Sequence, residues 1–337
     1  MQGGGDDNSR VVRPNDDTPA SAKRVWMRPG RLRVTALVVA LGAAASLLVG
    51  IVWAPLRPGA QPSPSQDLPS LTLPIRAAFY YPWFPEAWRQ QGMDPFSRYK
   101  PSLGYYSVDA ATVSEHIQAM KYGNIRAGIA SWWGQGSQTD DRMPMLLDAA
   151  ALTGFKWALY YEPEGQAADT PPSQIAADLK YIKERYSRQT GYLRVGGRPV
   201  LFVYASAEDS CEMADRWKGA DTLGFYVVLK VFPGYRACAS QPDSWHQYAP
   251  ASAEDTQASF SFTISPAFWK ASEPAPRLAR DLSRWSRSIT DMVASKAPWQ
   301  LVTTFNEWGE GTAVEDSVAW QSASGFGAYL DALHESS

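Results

Sequence analysis

Histidine and cysteine are scarce in this chain. Three histidines (His116, His246, His334) and two cysteines (Cys211, Cys238) lie far apart among 337 residues. No local cluster has the spacing of a zinc or iron-sulfur site, so a metal centre is disfavoured and only carboxylate sites stay open. An excess of charge of one sign is also lacking. Thirty-two basic residues against 34 acidic ones give a net charge of -2, without the basic footprint that nucleic-acid binding uses. Neither a G-x-S-x-G elbow nor a G-x-x-x-x-G-K-[ST] loop occurs, and Gly134-Gln135-Gly136 lacks the third glycine of a dinucleotide fingerprint. Serine-hydrolase, phosphoryl-transfer and hydride-transfer readings therefore start weak. Apolar and aromatic residues are plentiful: 45% of the chain is hydrophobic, with 14 Trp, 16 Tyr and 12 Phe, enough for a large core.

The chain divides by composition. Residues 1–33 are rich in Gly, Asp, Arg, Pro and Ser without apolar periodicity, and read as a disordered tail. Residues 34–53, VTALVVALGAAASLLVGIVW, carry no charge. At about 1.5 Å per residue such a helix spans the roughly 30 Å of a bilayer core. Lys23, Arg24, Arg28, Arg31 and Arg33 precede it and only Arg57 follows closely, which puts the N-terminus in the cytoplasm and the bulk of the chain outside. The expectation is a single-pass type II signal anchor contacting the lipid bilayer; a cleaved signal peptide with secretion is the alternative. Residues 54–73 contain five prolines and read as an extended spacer. From Pro74 to Ser337 the remaining length is close to the roughly 250 residues of a (β/α)8 barrel. Cys211 and Cys238 both lie in this exported part, where a disulfide is permitted; a pair and two free thiols both stay open.

Apolar runs of strand length recur along residues 74–337, most followed by helical spacing, the pattern of βαβ units in an α/β fold. Eight strands are expected: 76–83, 125–133, 155–163, 199–205, 224–232, 244–249, 259–265 and 300–308, with the sixth and seventh weakest. Helices are expected over 109–122, 142–153, 173–186, 277–296 and 318–334. In a barrel of this kind the active site forms at the C-terminal strand ends. Those ends carry Tyr80-Tyr81-Pro82-Trp83, Trp132-Trp133, Tyr161-Glu162, Tyr204 and Asn306-Glu307-Trp308-Gly309-Glu310. Aromatic faces beside carboxylates suit sugars, whose C–H faces pack on rings while hydroxyls need acceptors. For any single ring, filling the barrel is an equal reading.

Glycosidic cleavage needs one carboxylic acid to protonate the leaving oxygen and a second carboxylate to assist at the ring. Glu307 and Glu310, three apart in a Gly-containing loop at the end of the eighth strand, are the candidate pair. Glu162 is a third candidate, able to orient a hydroxyl or shift a neighbour's pKa. Glu164 and Glu315 read as surface or supporting groups. Lys230 reads either as a ligand or carboxylate partner or as a charge facing solvent.

At these residues the chain resembles glycoside hydrolase family 99, the endo-α-mannosidases and bacterial endo-α-mannanases. The resemblance is carried by Phe79-Tyr80-Tyr81-Pro82-Trp83, Leu103-Gly104-Tyr105-Tyr106-Ser107, Ser131-Trp132-Trp133, Tyr161-Glu162-Pro163 and Thr304 to Thr312, with Lys180-Tyr181-Ile182 and Arg198 to Tyr204. It implies a (β/α)8 barrel and an endo-acting, retaining α-glycosidase without a cofactor. Glu307 would act as base toward the sugar 2-hydroxyl, giving a 1,2-anhydro sugar, and Glu310 as general acid and then base. Substrate contacts are expected from Tyr80, Tyr81, Trp83, Trp132, Trp133, Tyr161, Glu162, Tyr204, Asn306 and Trp308. Two departures bear on sugar and linkage. Gly309 stands where the family commonly has a histidine, and the segment at Pro266-Ala267-Phe268-Trp269 lacks the family's usual form and the arginine-containing stretch after it. A role in surface-polysaccharide biosynthesis or remodelling, a non-catalytic glycan-binding protein, and a Golgi enzyme of the same topology are the rival readings.

Overall fold

The computed structural model describes residues 68–165 and 169–336. The expected tail, the apolar segment 34–53 and residues 54–67 of the proline-rich spacer lie outside the described residues. Among the described residues no helix is long and apolar enough to cross a membrane.

The described residues form ten strands: β1 (Ile75–Tyr80), β2 (Ala127–Trp132), β3 (Lys156–Tyr161), β4 (Arg194–Val195), β5 (Arg198–Val203), β6 (Tyr226–Lys230), β7 (Ser244–His246), β8 (Glu254–Gln257), β9 (Ser261–Ile264) and β10 (Trp299–Val302). Eight of them run parallel in the order β7-β6-β5-β3-β2-β1-β10-β9. Each overlaps one of the eight expected strands but is shorter; the last ends at Val302 instead of reaching 308. They are legible because a parallel strand covered on both faces reads as a continuous apolar run. Short β4 and β8 pair antiparallel with β5 and β9 as outside attachments.

The barrel is nearly closed. Its ladder ends at β7 on one side and β9 on the other, the two expected to be weakest. Side chains bridge the seam: Thr263 Oγ1 donates to Gln247 O at 2.7 Å and Ser265 Oγ to Pro250 O at 2.8 Å. The backbone adds Ser265 N to Ala253 O at 3.1 Å.

The helices are α1 (Ala110–Tyr122), α2 (Gln138–Ala150), α3 (Pro172–Arg185), α4 (Cys211–Ala220), α5 (Leu282–Ser295) and α6 (Ala328–Glu335). Their starts follow caps: Asp109, Ser137, Ser210 and Asp281 each accept a backbone N–H of the first turn. Ser137 sets α2 four residues earlier than expected, and Asp281 sets α5 five residues later. Helix α4 is absent from the sequence expectation, although Met213, Ala214, Trp217 and Ala220 form its buried stripe. The expected helix 318–334 is reduced to α6. Gly325 and Gly327 have φ of +80° and +86°, and a Cβ on Gly327 would lie 2.6 Å from Asp316 Oδ1, so the chain turns there instead of coiling.

The core has two layers. Inside the barrel lie Phe79, Tyr160, Phe202, Trp299 and Leu301; between sheet and helices lie Trp157, Ile117, Leu179, Trp217 and Trp285. Residue 128 must be glycine, because a Cβ there would sit 2.0 Å from the Trp157 ring. Cys211, at the start of α4, is disulfide-bonded to Cys238, ahead of β7.

Candidate active site

Alternation along each strand sends neighbouring side chains to opposite faces, and it sorts the expected aromatics. Tyr81 and Tyr204 belong to the layer inside the barrel, together with Tyr160 and Tyr248. Glu162 follows Tyr161 at the top of β3, with the same parity as Tyr160. Trp133 and Trp83 stand together at the rim, ring centroids 6.4 Å apart, and Trp83 Nε1 donates to Ser131 Oγ at 3.1 Å.

Tyr80, Trp132, Tyr161 and Trp308 are a correction to the expected substrate contacts. All four lie in the layer between sheet and helices. Tyr80 hydrogen-bonds His116 Nδ1 at 3.0 Å, Trp132 Nε1 donates to Asp140 Oδ1 at 2.7 Å, and Tyr161 donates to Asp178 Oδ2 at 2.8 Å. Trp308 Nε1 donates to Glu315 Oε2 at 3.1 Å. Consecutive aromatics at a strand end cannot both face the mouth, and Tyr80, Trp132 and Tyr161 point outward; Trp308, in the loop after β10, stacks on Trp320 instead. Asn306 is fully buried and clasps the Tyr81 backbone, accepting from its N–H at 2.8 Å and donating to its carbonyl at 3.0 Å. It orients Tyr81.

Glu307 and Glu310 sit in a loop after β10 that closes on itself. Glu307 N donates to Thr304 Oγ1 at 2.8 Å, Thr312 N to Glu307 O at 3.2 Å, and Thr304 N to Thr312 O at 3.1 Å. Glu310 N donates to Glu307 Oε1 at 3.3 Å, while Glu307 Oε2 is buried without a hydrogen-bond partner among the described residues. The loop depends on glycine twice. At Gly309 a Cβ would lie 2.6 Å from the Phe96 ring, and at Gly311, with φ of +67°, 2.7 Å from Trp269 O. Phe96 thus fills the space beside the Gly309 backbone.

Burial, followed by the charge of Glu310, holds the Glu307 carboxyl well above the ordinary carboxylate range. Glu162 is pushed up to about 8 by burial and by Glu310, against a hydrogen bond from Ser131. Three carboxylates thus share one buried region, with Tyr81 near both Glu162 and Glu307.

Tyr248, just after β7, is missing from the sequence expectation. Its hydroxyl accepts from Tyr81 OH at 2.9 Å and reaches Glu310 Oε2 at 3.5 Å. The aromatic after Gln247 in a weak strand was its only signal. Lys270 Nζ lies 3.9 Å from Glu310 Oε1. Lys230 is buried at the end of β6 and donates to Ala205 O at 2.9 Å. This excludes the solvent-facing reading, and burial, followed by the charge of Lys230, holds His246 neutral, down at about 3. Glu164 and Glu315 are buried as well: Glu164 pairs with Arg216, and Glu315 accepts from Tyr106 OH at 2.7 Å and faces His116 Nε2 at 3.3 Å.

A parallel barrel that gathers carboxylates and aromatic rings at its C-terminal mouth offers the groups that sugar chemistry uses. Residues 77–219 match the family model described as glycosyl hydrolase family 99, a match that stops short of Glu307. A glycoprotein endo-alpha-1,2-mannosidase of Rattus norvegicus is 22% identical over 296 residues, 74% of this chain and 62% of that protein. Its Mus musculus counterpart is 27% identical over 135 residues, 36% of this chain and 29% of that protein. The chain therefore spans under two thirds of the length of these curated relatives. The GH99 endo-alpha-mannosidase from Bacteroides thetaiotaomicron has the same fold, with a TM-score of 0.60 at 20% identity over 80% of this chain and 96% of that one.

Proposed function

We propose that the chain is an endo-acting, retaining α-glycosidase that hydrolyses a mannose-containing or related glycan through a 1,2-anhydro sugar. The observation that carries this reading is the buried, unpartnered Oε2 of Glu307 in the same closed loop as Glu310. An acceptor in that position suits the 2-hydroxyl proton of a bound sugar. In the first step Glu307 takes that proton, O2 attacks the anomeric carbon, and the bond to the leaving oxygen breaks as Glu310 delivers its proton. In the second, Glu310 takes a proton from water, the water oxygen attacks the anomeric carbon, and the C1–O2 bond opens as Glu307 returns its proton to O2. Configuration is retained after two inversions. Tyr81, Tyr248 and Glu162 surround the same space and would hold the reacting sugar, with Trp83 and Trp133 flanking it at the rim.

The test is product release by the full chain on a panel of α-mannans and α-glucans, with product anomers followed by NMR. Retained configuration is expected, with Glu310→Gln about 100- to 10,000-fold slower. Binding without turnover in both proteins would assign a glycan-binding role instead.

The uncharged run 34–53 supports a second part of the proposal: a membrane anchor that presents the barrel on the extracytoplasmic side. Membrane fractionation of the full chain against a chain beginning at Pro74 checks it, and equal solubility of the two would overturn it.

A further inference from the structure

The segment between β9 and α5 runs beside the carboxylate loop. Trp269 N donates to Glu310 O and Ala271 N to Gly309 O, both at 2.8 Å. Lys270 sits between these two bonds, so its backbone is fixed against Glu310 from either side. A third restraint comes from Arg98, whose Nε donates to Lys270 O at 3.3 Å while its guanidinium lies 4.3 Å from the Trp269 ring centre. The Lys270 stem passes Phe268, with Nζ 5.4 Å from the ring centre, and the ammonium ends 3.9 Å from Glu310 Oε1. Both side chains are largely buried, at 11% and 8% exposure, where charges act on each other with little screening. The field of Lys270 reaches Glu307 as well.

We propose that Lys270 sets the charge balance of the Glu307–Glu310 pair, acting as a positioning residue for the reaction through Glu310. The inference rests on the roles assigned above to Glu307 and Glu310. The groups facing this pair are Glu162 after β3, Tyr81 after β1 and Tyr248 after β7. Arg280, preceding α5, donates to Gly311 O at 2.9 Å. Three carboxylates crowded together oppose one another's ionisation, and a fixed cation offsets part of that repulsion. One glutamate must be charged and the other protonated at the same pH, so the offset decides where that combination is populated.

Removing the cation should make both carboxyl groups harder to ionise. In Lys270→Met and Lys270→Gln, both limbs of the kcat/KM pH profile should move to higher pH by about one unit, and Lys270→Arg should restore them. Glutamate carboxyl titrations of the 13C-labelled full chain, assigned through Glu307→Gln and Glu310→Gln, should move in the same direction; thermal melts confirm folding. A lower rate with unmoved limbs and unmoved titrations would overturn the inference and leave Lys270 a structural or substrate-binding group. If the unaltered chain hydrolyses none of the glycans, the functional reading fails. The titrations then still decide the charge coupling, and unchanged values in Lys270→Met would overturn it.

Discussion

Glu162 retains a proton that the unfolded chain releases, because burial raises its carboxyl from 4.5 to about 8. The folded state therefore binds more protons than the unfolded state between those values. Stability present at low pH is lost as pH rises through that window. Glu307, also raised, adds to the same slope. Thermal melts at pH 5, 6, 7 and 8 should show a falling Tm, and Glu162→Gln should flatten the fall. A second residue-scale prediction separates Trp132 from Trp133. Trp132→Ala empties a wholly buried site and removes one of the two donors to Asp140 Oδ1, leaving only Tyr186 OH, and should cost about 3–5 kcal/mol in urea unfolding. Trp133→Ala, at the half-buried rim, should leave the unfolding midpoint nearly unchanged and raise KM.

The loop from Thr304 to Glu315 behaves as an element in its own right, held from outside by the Arg280 cation and at its own end by the Glu315 carboxylate. Arg280 donates to Gly311 O and to Ala313 O at 2.9 and 2.7 Å, and its guanidinium lies 5.0, 3.8 and 4.8 Å from the Tyr99, Trp320 and Tyr329 rings. Glu315 ties Trp308 to Tyr106 and His116 from below. Arg280→Met preserves much of the side-chain volume but removes both donors to the loop. A displacement of order 1 Å at catalytic groups can cost about 100-fold in rate. The expected result is a kcat loss of that order with a smaller change in KM, measured by steady-state kinetics beside circular dichroism.

At the scale of the barrel the parallel ladder is interrupted at the seam between β7 and β9, where threonine and serine side-chain bonds replace it. The Cys211–Cys238 bond closes a 27-residue separation just before that seam. In the chain-entropy account a loop of that size contributes about 3.5 kcal/mol. The double variant Cys211→Ser with Cys238→Ser should therefore melt several degrees lower, and its backbone amides around 238–249 should exchange faster by hydrogen-exchange mass spectrometry. Unchanged protection there would separate the disulfide from the integrity of the seam.

The eight barrel strands and the Glu307–Glu310 loop were readable without coordinates, because both are local: a strand buried on two faces is an apolar run, and the loop is one short stretch of chain. Helix α4 was equally local but short. The expected helix at 318–334 failed because Gly325 and Gly327 adopt backbone angles that only the surrounding chain demands. Which member of Tyr80-Tyr81 or Trp132-Trp133 faces the mouth depends on parity, and parity is set by how each strand registers with its neighbours. Tyr248, after β7, and Lys270, between β9 and α5, reach the carboxylates from two separate segments, and Arg280 reaches the carbonyls of their loop. Sequence alone determined that carboxylates and aromatics gather at the strand ends. Tertiary structure decided which of them meet, because contact among residues distant in the chain exists only once the barrel closes.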